Sequence, residues 1–236
     1  MVMQALKDSL SYYYNDKGTY IIVLIADVDA QYRFTHIDVG CNGRVSDGGV
    51  FGRSALYHAL ESGELPMPRP KCLPGRRREI PYFFVADDAF ALRSFIMKPY
   101  PFRGLSFSER VFNYRLSRAR RVVENSFAIA ANEFRVLRKP MSEPTKSEKV
   151  VLALCALHNF LISRRGQRYI HVGSLDTGRT DSYIIPGEWC QKGNPESTWY
   201  PLQQTGRRQG GQSDREDLQV YFISRQGEVS WQYGRM

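Results

Sequence analysis

The sequence lacks the residue patterns that mark several common catalytic and binding sites. Its four cysteines lie far apart, at positions 41, 72, 155 and 190, and form no CxxC pair, which argues against a zinc knuckle. It contains no GxSxG elbow, and the glycine-containing segments 40–43 and 206–211 match neither the P-loop nor the dinucleotide pattern. No apolar run reaches the roughly 18 residues that a membrane helix needs. Serine nucleophiles, nucleotide loops and membrane spans are therefore not indicated.

Acidic residues are fewer than basic ones. The 236 residues include 33 Lys and Arg but only 24 Asp and Glu, so the formal net charge is +9. Such a charge attracts polyanions, and arginines cluster at residues 76–78 and 110–121, which favours nucleic acid as a partner over simple solubility charge. A hydrophobic fraction of 42% predicts one main folded domain, which we place at residues 1–164.

The first half of the chain has the pattern of an α/β protein. Residues 20–28 form an apolar run rich in β-branched side chains, and residues 32–39 follow after a turn, which predicts an antiparallel hairpin. A helix is predicted from Ser46 and Asp47 to Gly63. Residues 66–79 contain four prolines and three consecutive arginines, so we expect an exposed insertion whose arginines contact either phosphate or water. A further strand is predicted over residues 80–87.

Two helices are predicted in the second half. Between residues 108 and 137 apolar side chains recur at steps of three and four, as in a long helix with one buried face. Residues 148–162 are apolar nearly all round and are expected in the core, where His158 is a hydrogen-bonded core histidine. Beyond Ser163 the composition turns polar, which predicts a poorly packed C-terminal extension over residues 165–236.

Three acids lie where metal ligands would be useful. Asp47 precedes a helix, Asp87 ends a strand, and Glu124 lies within the most basic helix. Carboxylates that converge from different elements are what two divalent ions need for phosphodiester cleavage. Each acid also has a simpler structural interpretation: a helix N-cap, a turn acid, and an i+4 partner of Arg120. Asp27, Asp29 and Asp38 are further candidates, and the turn between the two strands explains them more simply.

Several segments together resemble the DDE endonuclease domain of Harbinger-type transposases and their domesticated relatives. They occur in order between residues 12 and 162 and are residues 13–18, 21–29, 32–40, 46–51 (SDGGVF), 85–90 (VADDAF), 97–100, 112–125 (FNYRLSRARRVVEN) and 157–160 (LHNF). The resemblance implies an α/β, RNase H-like fold, in which helices flank a mixed sheet. It also implies an Asp, Asp, Glu triad that holds two divalent ions for DNA strand cleavage.

The resemblance assigns roles to particular residues. Asp87 corresponds to the second aspartate of the triad and Glu124 to its glutamate, and both would be catalytic metal ligands. Asp47 corresponds to an additional acid in relatives and would be a further ligand. The cofactor implied is Mg²⁺ or Mn²⁺, and the arginines expected to contact DNA lie on the same helix as the glutamate: Arg118, Arg120 and Arg121.

The first triad aspartate has no counterpart in this sequence. In the family it lies on a first strand, upstream of the segment that residues 12–18 resemble, and Asp8 does not match it. We therefore expect a fold without its first strand and weak or no activity. An incomplete gene prediction, a decayed transposon copy, or a second half supplied from elsewhere would explain this. The alternative function is a non-catalytic DNA- or protein-binding domain.

The resemblance agrees with the charge in implying DNA as a partner, and no membrane partner is expected. A separate Myb-like DNA-binding protein and a nuclear location, with the cytoplasm as a second location, follow from the resemblance alone.

Overall fold

The structure, a computed structural model, describes residues 21–42, 47–141, 143–170, 177–178, 184–185 and 211–233. They form a mixed α/β architecture of small two-stranded sheets and several helices. The chain divides into two compact units: residues 1–54, 121–177 and 184–200 in the first, and residues 55–120, 178–183 and 201–236 in the second. The motif at residues 13–18, together with Asp8, Ser46 and the glycines at 206 and 210, lies outside the described residues.

The first unit begins with the predicted hairpin, which is confirmed. Strand β1 (Ile22–Val28) pairs antiparallel with β2 (Phe34–Asn42). In the turn, Asp29 Oδ1 accepts the backbone N–H groups of Gln31 and Arg33 at 2.9 and 3.0 Å. Arg33 also forms a salt bridge to the same carboxylate at 2.7 Å. The simpler interpretation of Asp29 as a turn acid is therefore confirmed.

One predicted helix is two helices in the structure. Helix α1 (Asp47–Phe51) ends in a turn, and α2 (Ala55–Glu61) begins after it, in the second unit. The turn is closed by the N–H groups of Arg53 and Ser54, which donate to the carbonyls of Val50 and Phe51 at 3.1 and 2.9 Å. The hydroxyl of Ser54 donates to the same Phe51 carbonyl at 2.7 Å, and such a side-chain bond competes with continuation of the helix.

Helix α3 (Phe107–Glu133) confirms the long predicted helix and runs through both units. It begins with a capping box: Ser106 Oγ accepts the N–H of Glu109 at 3.3 Å, and the Glu109 carboxylate accepts the N–H of Ser106 at 2.7 Å. A 3₁₀ turn (Arg135–Arg138) follows, and helix α4 (Pro144–Arg165) begins with proline in its first turn.

Helix α4 is buried on one face only, so the expectation of burial all round is wrong. Its buried residues are Ser147, Val151, Cys155 and His158, which recur at helical spacing along one side. Val151 and Cys155 pack with Phe34, Ala130 and Met141 in the core of the first unit. Apolar side chains on other sides are exposed: Val150, Leu152, Leu157 and Phe160.

The second unit contains short strand pairs. Strand β3 (Lys71–Cys72) pairs antiparallel with β4 (Glu79–Ile80), and β5 (Phe84–Val85) pairs parallel with β6 (Ile96–Met97). The predicted strand over residues 80–87 is thus divided between β4 and β5. Outside the second unit, the described residues also form a 3₁₀ turn (Gly166–Arg168) and the two-residue strand β8 (Ile184–Ile185). Strand β7 (Thr177–Gly178) lies at the boundary of the two units in the chain.

The C-terminal part of the second unit is helical and packed. Helix α5 (Gln212–Phe222) and a 3₁₀ turn (Ser230–Tyr233) form there, and Leu218 is buried with Met97, Tyr100 and Phe112. The expected poor packing of residues 165–236 therefore does not hold for residues 211–233, because the polar sequence of α5 still buries one apolar edge. The boundary between residues 164 and 165 stays a prediction. No helix in the described residues is long and apolar enough to cross a membrane.

Candidate functional site

Asp87 lies just beyond the carboxyl end of strand β5. Strands β5 and β6 are parallel, and the N–H of Ala86 donates to the carbonyl of Met97 at 2.9 Å, so both strands end at one edge. One carboxylate oxygen of Asp87 accepts the N–H of Ala89 at 3.0 Å. The other lies 3.7 Å from Nη2 of Arg120 on α3, with both side chains partly exposed. The carboxylate is thus oriented by the backbone on one side and faces a positive charge on the other.

Lys98 is a residue of this edge that the sequence interpretation did not single out. It follows β6, is buried, and donates from Nζ to the carbonyl of Asp88 at 2.8 Å. Burial lowers the pKa of Lys98 below its ordinary value, while the charges of Asp88 and Asp87 oppose that effect. The sequence signal that could have identified Lys98 is its position within the motif at residues 97–100. Its amine completes the polar environment at the ends of β5 and β6.

The other two predicted acids belong to the first unit. Glu124 lies on α3 and is exposed, and Asp47 is the first residue of α1, with its side chain outside the described part of the chain. Within the described residues, no three His, Cys, Asp or Glu side chains form a group that could hold a metal ion. Carboxylate oxygens are the donors that Mg²⁺ and Mn²⁺ prefer, so the chemistry of the three acids fits such ions. That Asp47, Asp87 and Glu124 bind metal stays a prediction.

Two of the three predicted DNA-binding arginines already make contacts within the second unit. The guanidinium of Arg118 lies 4.0 Å from the centre of the Trp231 ring, and that of Arg120 faces Asp87. The neighbouring Arg115 lies 3.9 Å from the Phe222 ring and donates to the carbonyl of Gly227 at 2.5 Å. These contacts tie α3 to the C-terminal residues. Arg121 lies on the same helix, in the first unit, and DNA contact by all three predicted arginines stays a prediction.

His158 and Asn159 have structural partners, as predicted for the histidine. The ring nitrogens of His158 lie 2.9 Å from the Tyr169 hydroxyl and 2.8 Å from the Tyr32 carbonyl, and burial lowers the pKa of His158. The amide of Asn159 donates to the carbonyl of Phe34 and accepts its N–H at 2.8 and 2.9 Å. Both side chains therefore fix the start of β2 on α4.

Comparison with known families identifies the domain. Residues 2–159 match the family described as DDE superfamily endonuclease. The chain belongs to that family. The match includes Asp47, Asp87 and Glu124, and the family predicted from the sequence motifs is confirmed.

A curated relative of this DDE endonuclease domain is Protein ALP1-like from Arabidopsis thaliana, which is 24% identical over 169 residues. The aligned region covers 71% of this chain but 41% of the plant protein, so the chain spans about two fifths of that relative's length. No solved structure matches the chain. Together, the family and the relative support a transposase-derived nuclease domain. Residues 211–233, which pack into the second unit, lie beyond the matched residues.

Proposed function

We propose that this domain cleaves DNA phosphodiester bonds with divalent metal ions, and that its complete fold is RNase H-like. The observation that carries the proposal is the position of Asp87, within the matched residues and at the carboxyl ends of the parallel strands β5 and β6. Its carboxylate accepts the Ala89 N–H, which orients a hard oxygen donor at this edge.

Asp87 and Glu124 are the proposed catalytic ligands, and Asp47 is the proposed additional ligand. All three supply hard oxygen donors suited to Mg²⁺ or Mn²⁺. Bound divalent ions lower the pKa of water and stabilise the charge that develops on the phosphate. The first triad aspartate has no assigned residue, so we expect weak activity from this chain alone. A Myb-like DNA-binding partner and a nuclear location remain proposals from the resemblance.

A non-catalytic DNA-binding domain is the second candidate, and the Asp87–Arg120 contact favours it. A guanidinium 3.7 Å from the carboxylate neutralises Asp87 without any metal ion. A domain without catalytic activity would keep this contact, because the contact needs no metal ion. It would bind DNA without a requirement for divalent ions, and its affinity would fall steeply with salt.

Nicking of supercoiled plasmid DNA tests the first proposal against the second. The full chain is incubated with Mg²⁺ or Mn²⁺, and with EDTA as the metal-free control. Asp87→Asn and Glu124→Gln are compared with Glu64→Gln, which removes the same charge from an exposed loop residue. We expect slow, metal-dependent nicking that both site variants abolish and the control retains. Nicking that survives both site substitutions contradicts the site, and metal-independent DNA binding without nicking supports the second candidate.

A further inference from the structure

The hairpin formed by residues 66–80, here called the basic hairpin, concentrates positive charge on the second unit. It contains five cationic residues and one acid, Glu79; the cationic residues are Arg69, Lys71, Arg76, Arg77 and Arg78. All five are exposed. In the described part of the chain, Arg78 alone among them forms an ion pair with an acidic side chain. Four cations are therefore left facing solvent on one short element.

The backbone of the basic hairpin is fixed rather than loose. The N–H of Arg76 donates to the carbonyl of Leu73 at 2.9 Å across a turn with proline at its second position and Gly75, at φ 74°, at its third. The thiol of Cys72 lies 3.3 Å from the Arg77 carbonyl. At the base, Ile80 is buried in the core of the unit. The exposed arginines thus project from a defined backbone.

Helix α5 anchors the basic hairpin through one arginine. The guanidinium of Arg78 donates to Asp214 at 2.8 Å, to Ser213 at 2.7 Å, and to Asp217. Both acids bind Arg78, so among the described residues they do not compensate the charges of the neighbouring Arg76 and Arg77. Arg78 thus attaches the basic hairpin to α5, while the adjacent Arg76 and Arg77 remain exposed.

Three arginines of helix α3 have the opposite character. Arg118 is stacked on Trp231, Arg120 faces Asp87, and Arg115 is held by Phe222 and Gly227. To bind phosphate, each of these side chains would first have to give up a contact within the protein. In the described part of the chain, Arg76 and Arg77 have no ion pair to give up. Guanidinium groups form paired hydrogen bonds with phosphate oxygens.

We propose that the basic hairpin binds the phosphate backbone of duplex DNA and positions the substrate of this domain. The proposal rests on the proposed function for its choice of DNA as the polyanion. Contacts of this kind give affinity and orientation without sequence preference. Lys71 and Arg69, which are also exposed, add two positive charges to the same segment.

The test measures duplex binding at several salt concentrations. Fluorescence anisotropy of a labelled duplex of arbitrary sequence reports the binding, and EDTA is present so that no cleavage occurs. Arg76→Gln/Arg77→Gln is compared with Arg135→Gln/Lys139→Gln, which removes two equally exposed charges from the first unit. For the hairpin variant we expect affinity to fall at least about tenfold at moderate salt, and the slope of log affinity against log salt to decrease by about 2. The control should stay within about twofold in affinity, with a nearly unchanged slope.

Equal losses in the two variants would overturn the proposal, because they would show a response to net charge alone. The proposal would also be overturned if the unmodified chain bound no duplex DNA, or if it preferred double-stranded RNA of the same length. Hairpin-dependent binding without plasmid nicking would retain this inference while the nuclease proposal fails. Nicking that the hairpin substitutions do not change would support the nuclease proposal and contradict this inference.

Discussion

Asp87 and Arg120 form an ion pair between the end of strand β5 and helix α3, with Oδ2 and Nη2 separated by 3.7 Å. The distance is longer than that of an optimal hydrogen-bonded pair, and both side chains are partly exposed, so the contact itself contributes little to stability. Its importance is electrostatic, because a divalent ion at Asp87 would lie close to a fixed positive charge.

Substituting Arg120 should therefore strengthen divalent-ion binding. In Arg120→Gln the repulsion between guanidinium and metal is removed, and we expect the Mn²⁺ affinity to rise by roughly three- to tenfold. Arg110→Gln, an exposed arginine near the start of the same helix, is the matched control and should change little. Electron paramagnetic resonance of free Mn²⁺ measures the affinity. Weaker or unchanged binding in Arg120→Gln would show that Asp87 is not a metal ligand.

A second prediction concerns the attachment of helix α5. Gly211 precedes this helix with φ 76°, and a Cβ there would collide with the backbone carbonyl of Arg93. Gly63 has a similar φ of 74°, but a Cβ there would meet no atom within 4 Å. Gly63→Ala should cost about 1 kcal/mol for its backbone conformation alone. Gly211→Ala should cost about 3 kcal/mol or more, since the collision adds to that cost.

Urea unfolding of the two alanine variants measures both costs. Equal losses would mean that residue 211 does not lie against Arg93 in solution, and that α5 is not held as the structure has it.

The sequence was sufficient for elements whose pattern is local. The hairpin of β1 and β2 and the long helix α3 follow from alternation and from apolar spacing. The two residues of the capping box, Ser106 and Glu109, lie three positions apart in the chain. The position of Asp87 at a strand end was also predicted, because the strand and its acidic end are adjacent in sequence. Its backbone partner, Ala89, is equally local.

Contacts between distant segments could not be predicted in the same way. Arg78 binds acids on α5 more than 130 residues away, and Asn113 brackets the backbone of Tyr100 through two hydrogen bonds of 2.8 and 2.9 Å. The apolarity of α4 did not reveal which face is buried, since several apolar side chains remain exposed. Helix α5 was missed because only a few apolar residues, Leu218 and Tyr221 among them, distinguish its buried edge.

A third prediction is a pH-dependent effect of Asp27. This residue lies opposite His36 on β2, and one of its carboxylate oxygens is buried without a hydrogen-bond partner among the described residues. Burial raises the pKa of Asp27 from 3.8 to about 6, against the opposing effect of His36. Because the folded-state pKa lies above the unfolded one, stability is retained below pH 3.8 and lost as the pH rises through about 6.

Asp27→Asn removes this loss, so its stability relative to the unmodified chain should increase by about 2 kcal/mol between about pH 4 and pH 7.5. Asp38→Asn, on the neighbouring strand, is the control for a lost carboxylate and should show no such increase. The effect of His158, which has the opposite sign, is common to all three proteins and cancels in the comparison. Urea unfolding at several pH values measures the difference, and a gap independent of pH would contradict the burial of the Asp27 charge.

The most direct test of the central claim, that Asp87 holds a divalent ion for DNA cleavage, exchanges its carboxylate for a thiolate. Mg²⁺ binds thiolates poorly, whereas Mn²⁺ accepts softer ligands more readily. Asp87→Cys should not nick plasmid DNA in Mg²⁺ but should regain activity in Mn²⁺, while Asp87→Ser, similar in size without a thiolate, should be inactive in both. The claim would be contradicted if both variants cleaved as fast as the unmodified chain, or if both had the same activity in Mn²⁺.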